Sequence, residues 1–366
     1  MQKKIFYIAD FSLPNMSAYT LHVLKMCDAF SELGYDLELL IPHVTKDYKF
    51  KNIKKDFILK SKYKIVSLYN RKKKLKFLTR IFFSFKILKI IINQKISFIY
   101  SRSIIPALII SLFNFKVILE IHTEMTGFTK FFFKFLNPLI LKKNLKLVLI
   151  NKKLNSYLGL HKKKYIVLDD AVDIRDFKKN NHYPIVKNTC FYSGSFVDGK
   201  GIEIIRKIAF KLPNINFHLY GNINTLTNKK NLNFSNNVIF KGFLSYNNLT
   251  KKMHQYKILL MPYKKKVGVL MQKTSVEKYF SPLKMFDYLA SGKLIIASNL
   301  KVYKHILKNK FNSLLVNPDD INDWVGIIKK NIDSRKLNYI GKNAIKTSKN
   351  YQWLSRAKQI INYNEK

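Results

Sequence analysis

The sequence predicts an α/β chain of two doubly wound domains facing across a cleft. Three observations carry this reading: apolar strand-like runs alternate with helical ones from end to end, half-polar alternating strands are few, and the series restarts after a polar stretch at 178–187. Such βα repeats imply parallel sheets covered on both faces. Ile5–Ala9 reads as a buried strand, and Ser17–Leu33 carries helical spacing (Leu21, Leu24, Ala29, Phe30, Leu33) closed by Gly34. Leu37–Pro42 is the next strand, and the alternation continues through Phe98–Tyr100, Val117–Ile121 and Leu147–Ile150. The second series runs Cys190–Ser193, Asn216–Tyr220, Ile258–Met261, Leu294–Ala297 and Leu314–Val316, each followed by a helical pattern. The expected division is a first domain at 1–177, a linker at 178–187 and a second domain at 188–349. Doubly wound sheets bind ligands at the carboxyl ends of their strands.

The length of 366 residues suits two domains, and 47% apolar content excludes disorder. Cys27 and Cys190 stand far apart in the pattern, which excludes a disulfide framework and a cysteine metal cluster and fits a reducing cytosol. Ile5–Ala9, ending at Asp10, is too short an apolar stretch for a signal peptide. The longest uncharged apolar-rich run, Ile104–Phe115, has 12 residues where a spanning helix needs about 20, so the expectation is a protein not integral to a membrane.

A net charge of +45 first suggests nucleic acid. Its make-up argues otherwise: the basic residues are seven arginines and sixty lysines, beside abundant Ile, Asn, Phe and Tyr. All these amino acids except arginine have A/T-rich codons, so part of the excess reflects genomic composition. Specific nucleic-acid readers favour arginine, and no nucleic-acid partner is expected. The informative charge is local. Residues 46–76 hold 13 Lys or Arg against Asp47 and Asp56, then run into Phe77–Ile92, a basic amphipathic helix with aromatics. Phe128–Leu139 is a second such segment. An anionic membrane surface is the partner these segments suit; a solvated helix face is the plainer reading.

The densest glycine cluster, Tyr192–Gly201, follows a strand and precedes the helix 202–210, the context of an anion site at a helix N-terminus. Gly194, Gly199 and Lys200 nearly complete a nucleotide-hydrolysing phosphate loop, but Gly201 stands where the magnesium-binding hydroxyl belongs. A phosphate site without a dedicated metal is the better reading. In Tyr279–Lys293, Ser281 is placed to cap a helix with Pro282 at its first position, leaving the N–H groups of Leu283 and Lys284 for a diphosphate. Asp287, about one and a half turns on, can accept both hydroxyls of a ribose.

Together these residues resemble the retaining GT-B glycosyltransferases of the "glycosyl transferases group 1" family, over nearly the whole chain. One branch reads S-P-L-K-x-F-E-Y-x-A-x-G-K, and Ser281–Lys293 matches it with Asp287 for Glu. Other matching stations are Ser17–Met26, Tyr100–Arg102, Glu120–His122, Leu168–Asp173, Gly194–Gly201, Tyr220–Gly221, Val238–Gly242 and Met261–Tyr263. The resemblance implies two Rossmann-like domains, with the C-terminal helix 350–366 returning to the first. It implies transfer of a sugar from a nucleotide-diphosphate donor to a glycan acceptor, lipid-linked or polysaccharide, without a cofactor or required metal. It further implies bacterial surface polysaccharide synthesis by a cytoplasmic enzyme peripheral on the inner face of the plasma membrane. His122 and Lys200 take the catalytic positions, His122 beside the donor sugar and Lys200 on the donor phosphates. Gly194, Ser195, Ser281, Pro282, Leu283, Lys284 and Asp287 complete donor binding, and Arg102 and Asp170 shape the cleft. The family's phosphate-loop arginine is Ser195 here. The first acid of its E-x7-E pair falls on Tyr279, with Glu277 two positions earlier, so either could contact the sugar. Alternatives are a nucleotide-sugar epimerase of the same architecture and a non-enzymatic basic binder of membranes or nucleic acid.

Overall fold

The computed structural model describes residues 3–72, 76–140, 144–159, 164–177, 183–226, 233–265, 281–334 and 338–365. The chain divides into two units, Met1–Asp169 with Trp353–Lys366, and Asp170–Gln352. The boundary thus falls earlier than the expected 177, and 183–187 of the expected linker belong to the second unit. Residues 178–182 lie outside the described residues.

The first unit runs β1 (Lys4–Ile8), β2 (Ser12–Leu13), α1 (Ala18–Glu32), β3 (Asp36–Ile41), β4 (His43–Val44), α2 (Phe50–Phe57), β5 (Lys64–Ser67) and α3 (Phe77–Ile91). It continues with β6 (Phe98–Ser101), α4 (Ile104–Leu112), β7 (Val117–Ile121), α5 (Gly127–Ile140), β8 (Leu145–Leu149), α6 (Leu154–Leu158) and β9 (Tyr165–Val167). Seven strands form one parallel sheet in the order β5-β3-β1-β6-β7-β8-β9. Ser17 caps α1 by accepting the Thr20 N–H, and Gly34 follows the helix in the left-handed region.

The second unit runs β10 (Thr189–Ser193), α7 (Ile202–Lys211), β11 (Asn216–Tyr220), β12 (Val238–Gly242), α8 (Tyr246–Met253), β13 (Ile258–Met261), α9 (Leu283–Ser291), β14 (Leu294–Ser298), β15 (Leu314–Val316), α10 (Ile321–Asn331) and α11 (Asn338–Ser348). The last helix, α12 (Trp353–Glu365), belongs to the first unit. The second sheet is also parallel, in the order β12-β11-β10-β13-β14-β15. Its residues alternate between two cores: Phe191, Leu259, Met261 and Ile295 pack with α9, while Cys190, Tyr192, Ile258 and Leu260 pack with α7 and α10. Burial on both faces is why these strands read as continuous apolar runs.

In each sheet the strand order reverses beside the first strand, between β1 and β6 and between β10 and β13. Loops leaving neighbouring strands in opposite directions open a crevice there, the usual ligand position in this fold class. β5, β9 and β12 are not among the strands expected from apolar runs. All three are sheet edges, with surfaces partly open to water.

Candidate active site

The second unit's crevice is flanked by the loop after β10 and the segment after β13. They are in direct contact: the Lys264 N–H donates to Gly199 O at 2.9 Å, and a Cβ on Gly201 would lie 1.9 Å from Pro262 O. Gly201 has φ +92° and caps α7, so only glycine allows both the backbone angle and the approach. The Tyr192 hydroxyl donates to Ser195 O (3.2 Å) and Lys200 O (3.3 Å), holding the loop from the strand below.

α9 projects Lys284 into this loop. Its stem is partly exposed, but Nζ is shut from solvent and has no hydrogen-bond partner among the described residues. It sits 3.8 Å from the centre of the Tyr192 ring and 5.0 Å from that of Tyr263. A Cβ on Gly194, at φ +140°, would come within 2.9 Å of it. Burial, and then the charge of Lys200, hold the Lys284 ammonium well below the ordinary lysine range. Burial brings Lys200 down to about 8. Two ammonium groups pushed toward neutrality beside a glycine loop make a site whose electrostatic deficit an anion would correct.

Ser281 does not cap α9. Pro282 occupies the N-cap with extended backbone, and Ser281 Oγ instead accepts the Asp170 N–H at 3.3 Å. Helix numbering shifts by one, so Leu283 is the first helical residue, and the N–H groups of Leu283 and Lys284 remain first-turn donors. Asp170 is 3% exposed. Asp287 is buried, accepting the Tyr246 hydroxyl at 3.0 Å, and Gly292 ends the helix in the left-handed region. The Tyr288 hydroxyl accepts the Ser193 N–H at 3.0 Å, fixing α9 to the end of β10. Tyr279 and Glu277 lie outside the described residues.

In the first unit His122 follows β7 directly. Glu120, two residues earlier on that strand, accepts from His122 Nε2 at 2.5 Å, His22 Nε2 at 3.0–3.1 Å, the Tyr100 hydroxyl at 2.5 Å and Arg356 Nη2 at 2.7 Å. Burial alone would raise the Glu120 carboxyl, but Arg356 and then the two histidines hold it well below the usual range. Arg356, from α12, also donates to Leu168 O and Asp169 O. The ligating atoms of His22, Glu120 and His122 lie within 4.8 Å of one another, a metal-like spacing. Arg356 already neutralises that carboxylate, so an added cation would be repelled and the cluster is better described as a hub orienting His122. Arg102 stacks 4.4 Å over the Tyr19 ring, and Tyr19 donates to Asp10, which also binds Arg80.

Sequence reasoning assigned no role to Glu120, His22, Arg356, Tyr192 or Tyr263. One signal was available: an acid inside the apolar strand VILEI must be paired, and it shares a strand face with His122.

Residues 173–347, which hold every donor-side element described above from β10 to α9, match the family model "Glycosyl transferases group 1". These residues are similar to a group 1 glycosyltransferase domain. A glycosyltransferase from Rickettsia africae is similar across 100% of this chain and 98% of its own, with TM-score 0.74 and 15% identity. HepE of Anabaena, solved with UDP and glucose, gives TM-score 0.73 at 14% identity over 99% of both chains. WaaG, a glycosyltransferase involved in lipopolysaccharide biosynthesis, gives TM-score 0.65 at 10% identity over 97% of this chain and 98% of its own. None of the curated proteins compared with the chain matches it. The GT-B fold expected from the motifs is thereby established, the family match supports the expected glycosyltransferase class, and the neighbour WaaG is involved in lipopolysaccharide biosynthesis.

Proposed function

We propose that this glycosyltransferase moves a sugar from a nucleoside-diphosphate donor to a glycan acceptor, with retention at the anomeric carbon and without a metal. The single observation carrying the reading is Lys284, a buried ammonium with no hydrogen-bond partner among the described residues, aimed into a glycine loop that also holds Lys200. The leaving diphosphate gains negative charge as the glycosidic bond breaks. Two lysines in a site partly shut from water stabilise that charge more than they would in bulk solvent. Gly194, Ser195 and the first-turn N–H groups of α9 add neutral donors, and Asp287 is assigned to the ribose hydroxyls.

His122, oriented by Glu120, is assigned to the sugar and acceptor side rather than to proton abstraction; a donor phosphate oxygen takes the acceptor proton in retaining transfer of this kind. The UDP and glucose in HepE, the UDP-glucose in a second HepE structure and the part WaaG takes in lipopolysaccharide biosynthesis support a nucleotide-sugar donor and a surface-glycan acceptor, lipid-linked or polysaccharide. The setting assigned is the inner face of a bacterial plasma membrane. Among the described residues no helix is long and apolar enough to cross one.

Calorimetric titration with UDP-, GDP- and dTDP-sugars, with and without a chelator, tests the donor reading. One nucleotide should bind, chelator should change nothing, and Lys200→Ala should weaken binding. Full affinity and turnover in Lys200→Ala would remove the phosphate assignment. A donor altered without any acceptor present would make the enzyme an epimerase.

A further inference from the structure

The first unit carries an apolar surface that the glycosyl-transfer chemistry does not use. On α3, Leu78, Phe82 and Phe85 are exposed at positions four and three apart, which places them on one helix face. On α5, Phe128, Phe131 and Phe135 repeat the pattern. Phe82, Phe128, Phe131 and Phe135 each keep between 67% and 76% of their surface open to water. The two helices are tied together: Phe77 packs on Phe128 and Phe132 with ring centres 5.7 and 5.8 Å apart, and α4 packs against both helices. Opposite faces of the same helices are committed to the core through Phe83, Ile87, Ile91 and Phe133. Scattered exposed apolar residues are ordinary, but aromatic stripes on two packed helices form a patch that marks an interaction surface.

The charge around this patch selects its occupant. α3 contributes Lys86 and Lys89, α5 contributes Lys130 and Lys134, and neither helix contains an acid; Arg80 of α3 is already paired with Asp10. Lys134 stands between Phe131 and Phe135 and is exposed like them. A second copy of the chain docking on the same patch would bring these basic faces together and be repelled. A surface of anionic phospholipid accepts both features: phenyl rings enter the boundary between headgroups and acyl chains, while lysines extend to the phosphates.

We propose that α3 and α5 together form a membrane-docking ridge, inserting Phe82, Phe128, Phe131 and Phe135 into an anionic leaflet with the flanking lysines held at headgroup level. The proposal rests on the membrane-side reading of the function and specifies how the contact is made. Insertion, rather than charge alone, anchors the protein, so its attachment survives salt that screens the lysines.

Flotation of the full chain with phosphatidylglycerol–phosphatidylcholine vesicles, and with phosphatidylcholine vesicles alone, tests the ridge. Binding should favour the anionic vesicles, and molar salt should weaken it without abolishing it. The double variant Phe131→Ser/Phe135→Ser should lose about tenfold in partitioning per phenylalanine, or more. Thermal melting and nucleotide titration of the same variant should match the parent, since neither residue is core or donor site. Parent-like partitioning of the double variant, complete release by salt, or equal binding to both vesicle types would each overturn the proposal. So would concentration-dependent self-association that the double variant abolishes, with no vesicle binding. Vesicle binding with no nucleotide binding would instead overturn the donor reading and leave the ridge standing.

Discussion

Replacing Lys284 with methionine should separate what this residue does for the fold from what it does for the donor. Its ammonium is buried with no hydrogen-bond partner among the described residues, between the rings of Tyr192 and Tyr263. An unsatisfied buried polar group costs about 1–3 kcal/mol. Desolvated cation–π contacts return on the order of 2 kcal/mol. Lys284→Met removes both terms and leaves a flexible thioether against the same rings, so the second unit's stability should stay within about 1 kcal/mol of the parent or rise. Donor binding should move the other way. A charge-assisted contact to phosphate contributes about 1.5–3 kcal/mol, or roughly 10- to 150-fold in affinity. Chemical denaturation measures the first quantity and calorimetric titration with UDP the second. A loss of more than about 2 kcal/mol of stability with unchanged nucleotide affinity would show that Lys284 is a structural residue, and the reasoning would fail.

Further outcomes are expected at three places in the structure. Donor affinity should fall as pH rises through about 8, where Lys200 loses its proton; the groups around it that could also contribute are Lys284 on α9, Tyr192 on β10, and Asp198, Glu203 and Lys264 beside the loop. Lys200→Arg should flatten that profile, because a guanidinium stays charged, and an unchanged profile would assign the titration elsewhere. Arg356→Met should destabilise the first unit by about 3–5 kcal/mol by stranding the buried Glu120 carboxylate, and adding Glu120→Met should recover much of the loss in denaturant melts. In the parent, the Glu120 carboxyl is held below its unfolded range, so its contribution is present above about pH 4.5 and should disappear as pH falls through the depressed value. Gly201→Ala should lower stability by more than about 1 kcal/mol and weaken nucleotide binding, since its Cβ would meet Pro262 O and its backbone angle disfavours a side chain.

The central strands were legible because both their faces are buried. Val117–Ile121, Asn216–Tyr220 and Ile258–Met261 fall where the apolar runs place them. β5, β9 and β12 were not, because an edge strand with solvated surface, such as KIVS in β5, carries no continuous apolar signal. The cap of α9 was misplaced by one residue, since a serine before a proline has the composition of a cap whether or not its hydroxyl turns toward the helix. Here it turns to Asp170.

By itself, then, the sequence determined the repeated βα pattern, the glycine loop before α7, the Ser281–Lys293 segment and the basic aromatic helices, because each is a local property of consecutive residues. The family resemblance grouped Gly194, Lys200 and Lys284 as donor-binding, but only the tertiary structure decided how groups distant in sequence touch. Lys284 meets the Gly194 loop from 90 positions away, and Arg356 reaches Glu120 across 236. Whether a lysine is a solvated surface charge or a buried ammonium awaiting an anion depends on what packs around its tip. In a chain with sixty lysines, composition could not single out Lys200 and Lys284. Burial at the strand-order reversal of the second sheet does.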